Sequence, residues 1–420
     1  MLYNEKYEAF GVFLFKIRIR EGNRMKKFKV GVIGVGDISR AYLNNLKKYS
    51  DVVELYACAT RSLEKSRRKA EEYGFKKPYG SGEELIADPE VDIVLNLTTP
   101  DVHYYYNLEA LKAGKHVYSE KPLAATLAQG QEIMALAKEK NLYVGCAPDT
   151  FMGGRLQEYR SVLDNGTIGN VIGGMASMVC RGWEWFHPNP GFYYQPGSGP
   201  LFDMGPYYLT ALVSLLGPVE SICAMGTRAE EVRIIQSEAQ KGREVPVNVD
   251  THIAANLKFK SGALINLCVS FDVWESEMPR MELYGTKGTL CMLEPDPCDG
   301  PNLFGGKVLL RTQKNCRWLA MPRSEEMLKT PWEEIEVRHQ YNSISQAENS
   351  RGIGMVDMAY AIEEGRSNRA SGDMALHVLE VMEGILRSAE ENIFVRTSTD
   401  FMLPEAIPED GSFQTVCNKK

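Results

Sequence analysis

The sequence predicts two units in series: a doubly wound parallel α/β unit over residues 26–148, then a larger α+β unit over residues 149–400. Three observations predict it. Strand-like apolar runs alternate with amphipathic helical stretches as far as Cys146. A glycine-rich turn joins the first of these strands to the first helix, and beyond Asp149 the alternation gives way to a succession of β-rich stretches.

In the first unit, Lys29–Ile33, Leu55–Thr60, Val91–Leu97, His116–Tyr118 and Leu142–Cys146 read as strands. Ile38–Lys47, Leu63–Tyr73, Val102–Ala113 and Ala125–Lys140 read as the helices between them. In the second unit Val171–Cys180, Val219–Thr227, Thr251–Phe259, Ala263–Phe271, Met281–Tyr284 and Thr289–Leu293 are β-rich, and helical periodicity returns at Gly354–Glu364 and Met374–Glu391. Pro295–Gly306, dense in glycine and proline, reads as a loop excursion. Residues 1–25 stand apart. Glu5 and Glu8 precede the apolar run Ala9–Phe15, and Arg18, Arg20 and Arg24 follow without a small-residue cleavage site, unlike a secretory signal. Met25-Lys26-Lys27-Phe28 reads as a start that runs into the first strand, so the preceding segment is expected to be an extension or a misplaced start. Residues 401–420 read as a C-terminal tail.

The 420 residues carry 48 Lys+Arg against 55 Asp+Glu, a formal net charge of −7, which argues against nucleic acid as a partner. A hydrophobic content of 44% suffices for a buried core. No apolar run approaches the about 18 residues of a membrane span, so no membrane association is expected. Nine cysteines, scattered from Cys58 to Cys417 without a C-x-x-C pair, suit reduced thiols in the cytoplasm. Cys291, Cys298 and Cys316 are too irregularly spaced for a metal site, and no metal is expected.

The first strand ends in Gly34-Val35-Gly36-Asp37-Ile38-Ser39, a G-x-G-x-x-small pattern between strand and helix. Gly34 allows the tight turn, Gly36 lets backbone approach a pyrophosphate, and Ser39 is small enough for close helix–strand packing. A dinucleotide site follows from the pattern in this βαβ setting. Where an NAD site would place an acidic residue after the second strand, Thr60-Arg61-Ser62 stands instead. An uncharged residue followed by arginine suits a ribose 2′-phosphate, which favours NADP over NAD.

Further on, Lys115-His116-Val117-Tyr118-Ser119-Glu120-Lys121-Pro122 carries a strand into Glu-Lys-Pro, downstream of Asn96-Leu97-Thr98-Thr99-Pro100 and His103. With the fingerprint, these motifs resemble the Gfo/Idh/MocA family of nicotinamide-dependent oxidoreductases, over about residues 27–395. The resemblance implies a Rossmann domain paired with an α+β domain on an open, mainly antiparallel sheet, the final helices packing back toward the Rossmann domain. It also implies a carbohydrate-like substrate (a sugar, polyol or cyclitol derivative) and a homodimer or homotetramer that buries the open sheet face. Gly34, Gly36, Asp37, Ile38, Thr60, Arg61, Thr98, Thr99, His103, Glu120, Lys121 and Pro122 are the expected cofactor contacts.

Oxidising a secondary alcohol requires a positioned base and a group that steadies the developing alkoxide. Lys121 inherits the family's lysine role: near-neutral it could be the base, charged it could only orient or stabilise. Glu120 is expected to orient. The family's second motif is an aspartate followed four residues later by histidine; here Asp203 matches, but Tyr207 holds the histidine's place. One helical turn apart, the two would share a face. An ordinary tyrosine hydroxyl is a poor base at neutral pH, and a nearby ammonium favours the phenolate. Three routes for the proton stay open: Tyr207 with Lys121, His187 from the preceding loop, or Lys121 alone. Tyr207 could equally be structural, and Asp203 a helix cap.

The aromatic stretch Trp183-Glu184-Trp185-Phe186-His187-Pro188 and Phe192-Tyr193-Tyr194 could line a carbohydrate pocket, with Glu184, His187 and Gln195 binding hydroxyls, or could be core or interface. Asp149, Trp183, Trp185, His187, Asp203 and Tyr207 are the substrate-contact candidates, their acidic members favouring neutral or cationic substrates. His103 suits either the nicotinamide side or a helix start; Tyr104-Tyr105-Tyr106 and His377 read as packing, and Arg366 and Arg369 as solvated. The resemblance leaves two further functions open: an NAD-dependent glycoside hydrolase that takes up a hydride and later returns it, and a non-enzymatic dinucleotide-binding regulator.

Overall fold

The computed structural model describes residues 25–293, 303–319, 324–343 and 349–413. The first unit is a six-stranded, wholly parallel sheet in the order β3-β2-β1-β4-β5-β6. Its elements run β1 (Phe28–Ile33), α1 (Ser39–Leu46), β2 (Val53–Ala59), α2 (Leu63–Tyr73), β3 (Lys77–Tyr79), α3 (Gly82–Ala87), β4 (Ile93–Asn96), α4 (Pro100–Lys112), β5 (His116–Ser119), α5 (Leu127–Lys140) and β6 (Val144–Cys146). Ile93–Asn96 is buried throughout and β1 nearly so, as a parallel sheet covered on both faces requires. Ser62, Ser81 and Thr126 cap α2, α3 and α5 by accepting from backbone N–H groups of the first turn. The strand order reverses between β1 and β4, and the crevice at their C-terminal ends is where such sheets bind ligands.

After a 3₁₀ turn at Asp149–Met152 come α6 (Gly154–Asp164), β7 (Val171–Val179), α7 (Gly199–Asp203), α8 (Gly205–Leu216), β8 (Val219–Thr227), β9 (Val232–Ile234), β10 (Glu244–Pro246), β11 (His252–Phe259), β12 (Leu264–Ser270), β13 (Met281–Gly285), β14 (Gly288–Met292), β15 (Val308–Thr312), α9 (Glu325–Leu328), β16 (Glu333–Ile335), α10 (Ile353–Glu364), α11 (Gly372–Glu391) and β17 (Val395–Arg396). A nine-stranded sheet follows the order β16-β15-β14-β13-β7-β12-β11-β8-β17, antiparallel except where β7 runs beside β12. The alternation on β11 shows why the sheet is open: Ile253, Ala255, Leu257 and Phe259 are buried, whereas Ala254, Asn256 and Lys258 face outward. The outward face also carries Met225, Cys223, Asn266 and Cys268 from the flanking strands. The longest helix, α11, packs on β8 of the second unit and on α5 and β6 of the first, so the closing helices bridge the two.

Residues 401–413 run along both units: the Ile407 N–H donates to Gln157 Oε1 at 2.7 Å, and Phe413 lies against Tyr49 and Tyr360. Arg366 and Arg369, expected in solvent, instead both bind the buried carboxylate of Asp357. Burial of that carboxylate requires paired cations. His377 is packing as expected, its Nε2 accepting the Val219 N–H at 2.9 Å. Residues 1–24, Cys298, Cys417 and most of the loop read at Pro295–Gly306 lie outside the described residues.

Candidate active site

At the crevice the backbone turns on Gly34, at φ 90°, where an added Cβ would lie 2.6 Å from the Leu97 carbonyl oxygen. Only glycine fits there. An added Cβ on Gly36 would meet nothing within 4 Å, which leaves open space before the N-terminus of α1. Ser39 is fully buried and donates to the Gly36 carbonyl at 2.6 Å, so it secures the turn it was expected merely to permit. Asp37 is exposed and Ile38 half-buried beside it. The first-turn N–H groups of a helix lack intrahelical partners, so this open turn fits a dinucleotide pyrophosphate.

At the end of β2, Thr60 Oγ1 donates to the Ser62 carbonyl at 2.9 Å and Ser66 Oγ accepts from the Thr60 N–H at 2.8 Å, which fixes the loop that presents exposed Arg61. Thr98 donates to Asn96 Oδ1 at 2.6 Å, and Thr99 is exposed at the start of α4. His103 is fully buried, its ring nitrogens 3.0 Å from the Thr98 carbonyl and 2.8 Å from that of Pro122. It clamps two loops of the crevice rather than facing a cofactor itself.

Glu120 accepts the Tyr42 hydroxyl at 2.6 Å and the Lys121 N–H at 2.8 Å, which seats the Glu-Lys-Pro turn on α1. From that turn the Lys121 ammonium reaches the second unit: it donates to the Asp203 carbonyl and to Asp203 Oδ1 at 3.2 Å, and lies 5.3 Å from the Tyr207 ring centroid. Burial works to lower the pKa of Lys121, but the charges of Asp203, Tyr207 and Glu120 outweigh it and raise the value. The lysine is therefore an ammonium, a group that orients and stabilises. Asp203 is the last residue of α7, not a cap of α8, and its Oδ2 accepts the Trp183 indole N–H at 2.7 Å. The chain breaks helix at Met204, so Asp203 and Tyr207 meet through Lys121 rather than along one helix.

Tyr207 is 6% exposed, and its hydroxyl oxygen accepts from Arg351 Nη2 at 3.2 Å. Arg351 went unnoticed in the sequence because no motif surrounds it and 144 positions separate it from Tyr207. Tyr193 packs beside Trp183, ring centroids 5.9 Å apart.

Other candidates lie elsewhere. His187 meets Phe192 and Tyr193 edge-on and its Nδ1 accepts the Asn189 N–H; among the described residues no hydrogen bond or ring contact joins it to Lys121, Asp203 or Tyr207. Trp185 turns to the surface against Trp274. Glu184 is buried and binds the Tyr194 hydroxyl and Arg233, and Gln195 spans Pro246 and Asn248, so neither is free for a sugar hydroxyl. Asp149 is fully buried, accepting from the Tyr118 hydroxyl and the Gly352 N–H. Burial pushes its carboxyl up to about 7 against those two donors. The expected acidic substrate contact there is a structural anchor, because the turn at Ser350–Gly352 covers it.

Comparison with known proteins gives this geometry a family. Residues 28–147 match the model described as an oxidoreductase family with an NAD-binding Rossmann fold, and residues 156–291 match the GFO/IDH/MocA C-terminal domain. The chain is 28% identical to myo-inositol 2-dehydrogenase of Thermotoga maritima over 263 residues, 62% of this chain and 74% of that protein. It is 27% identical to 1,5-anhydro-D-fructose reductase of Ensifer adhaerens over 268 residues, again 62% and 74%. Levoglucosan dehydrogenase, solved with NADH and levoglucosan, superposes with a TM-score of 0.72 at 20% identity over 89% of this chain and all of that one, a likeness of fold. Among the described residues no helix is long and apolar enough to cross a membrane.

Proposed function

The chain belongs to the Gfo/Idh/MocA oxidoreductases, enzymes of CH–OH groups, and on that premise we propose that it transfers a hydride between a nicotinamide dinucleotide and a secondary hydroxyl or keto group of a sugar, polyol or cyclitol derivative, with Lys121 and Tyr207 at the reacting oxygen. One observation carries the reading: the Lys121 ammonium reaches from the Glu-Lys-Pro turn, which Glu120 seats on α1 through Tyr42, to Asp203 and lies beside the Tyr207 ring. The relatives' names, an inositol dehydrogenase and an anhydrofructose reductase, support the substrate class.

A bound nicotinamide supplies the hydride acceptor in oxidation and the donor in reduction. The open turn at Gly36 and the N-terminus of α1 would hold its pyrophosphate, and exposed Arg61 favours a ribose 2′-phosphate, hence NADP over NAD. In the oxidation direction the substrate's C–H bond breaks with its electron pair leaving as hydride, the carbonyl forms, and the hydroxyl proton passes to Tyr207 as a phenolate; in the reduction direction the Tyr207 phenol returns that proton to the new alkoxide oxygen. Lys121 stabilises the developing alkoxide by charge and N–H donation. Asp203, fixed by the Trp183 indole, aims that ammonium. The faces of Trp183 and Tyr193 offer apolar surface to the C–H side of a sugar ring. The outward face of the second sheet, with Met225 72% exposed, supports a homodimer or homotetramer closed across it.

The test is an assay of the purified protein with NADP or NAD against a panel of cyclitols, anhydrosugars and aldoses, following reduced nicotinamide. Turnover of one class with net cofactor reduction supports the reading; binding of dinucleotide with no redox turnover in either direction contradicts it.

A further inference from the structure

Building on that reading of Tyr207, we propose that Arg351 is the positioning residue that makes this tyrosine the proton carrier, by holding the phenol oxygen so that its hydrogen points away from the guanidinium and toward the substrate. A guanidinium has five N–H donors and no acceptor. Arg351 Nη2, 3.2 Å from the Tyr207 oxygen, therefore occupies a lone pair of that oxygen and cannot receive its proton. When the proton leaves, the same contact becomes a charge-assisted bond to the phenolate, stronger than the neutral one. Lys121 lies 5.3 Å from the ring centroid, with two of its three donors on Asp203 and the third left for the substrate oxygen.

The geometry around Arg351 is built to hold it there. Asn45 of α1 donates its side-chain amide to the Asn349 carbonyl at 2.6 Å and to the Arg351 carbonyl at 2.7 Å. Asp149 accepts the Gly352 N–H, and the Ser350 hydroxyl donates to the Asp149 carbonyl at 2.8 Å. Gly352 sits at φ 89° against Tyr42, with an added Cβ only 3.3 Å from that ring, so the turn presses directly on α1. Phe304 lies under the guanidinium at 4.8 Å. A buried arginine is costly unless compensated. Yet among the described residues no carboxylate lies within ion-pair range of Arg351, and the other groups facing the pair, Glu120 and Tyr42, are bonded to each other, Glu120 also accepting the Lys121 N–H. Tyr207 is the side chain its guanidinium bonds, and Glu120 acts on it only as a charge beyond ion-pair range.

A double-mutant cycle separates this role from mere packing. Arg351→Met should lower kcat about 10- to 100-fold, with the substrate KM and the dinucleotide Kd unchanged, and Arg351→Lys should recover part of the loss. In a Tyr207→Phe background, adding Arg351→Met should cost nothing further, because the contact it removes is already gone. If the methionine variant does not fold, the same cycle run with Arg351→Lys should show a smaller loss and the same non-additivity. Additive losses, or a raised KM at unchanged kcat, would overturn the inference while leaving Tyr207 as the proton carrier. Wild-type turnover in Tyr207→Phe would overturn both.

Discussion

The Lys121 ammonium lies 3.2 Å from Asp203 Oδ1, an ion pair that joins the cofactor-binding unit to the second unit at the candidate site. The two side chains are 16% and 17% exposed, so the pair is weakly screened. If this ammonium stabilises the alkoxide, Lys121→Ala lowers kcat by about 10²- to 10⁴-fold while dinucleotide Kd stays within a few-fold of wild type. Steady-state kinetics beside a fluorescence titration of the cofactor read the two separately; a parallel loss of binding would instead assign Lys121 to holding the cofactor.

Arg61 stands exposed after β2, among the described residues without an ion-pair partner, on a loop fixed by Thr60 and Ser66. A charge-assisted contact to a 2′-phosphate contributes roughly 1.5–3 kcal/mol. Arg61→Ala should therefore raise the KM for NADP about 10- to 100-fold and leave that for NAD unchanged. Equal effects on both cofactors would remove Arg61 from 2′-phosphate recognition.

Asp149 gives stability a pH dependence of known sign. Burial raises its carboxyl to about 7 in the folded chain, whereas an unfolded aspartate titrates near about 3.9. The folded state binds the proton more tightly, so the stability this group contributes is complete below about pH 4 and is lost as pH rises through about 7. The neutral amide of an Asp149→Asn variant would imitate the protonated acid, donating to the Tyr118 hydroxyl and accepting from the Gly352 N–H. Thermal melts from pH 5 to 8 should show wild type losing Tm relative to the variant; parallel curves would contradict the assignment.

The outward face of the second sheet presents Met225, Ala254 and Cys268, with Leu264 52% exposed. Light scattering at micromolar concentration should give a dimer or tetramer for wild type, and Met225→Asp, a charge placed in that face, should shift it toward monomer. A wild-type monomer would contradict the oligomer.

Much of this was legible in the sequence. Gly34, Gly36 and Ser39 marked the crevice because a turn at positive φ and a buried small residue leave a local signature. Glu120-Lys121-Pro122 and Asp203 were legible through the family's motifs. The short strand Lys77–Tyr79 was not read, because three residues show no period, and the helix Gly205–Leu216 was expected only from the family motif at Asp203 and Tyr207, because it is buried on every side and so lacks an amphipathic stripe. The aromatic stretch divided in a way composition cannot reveal. Trp183 turns inward to Asp203, while Trp185, two residues on, turns outward to Trp274. Arg351 and Asp149 show the same limit, since their roles depend on contacts of residues 349–352 with α1, more than 300 positions away, and with Asp149, more than 200 away.

The most direct test of the central claim is kcat for Tyr207→Phe measured beside His187→Ala on a turned-over polyol. The geometry predicts a fall of about 10²-fold or more in Tyr207→Phe and near-wild-type turnover in His187→Ala, because Tyr207 alone of the two adjoins Lys121. Full activity in Tyr207→Phe with loss in His187→Ala would contradict it and route the proton through the aromatic loop.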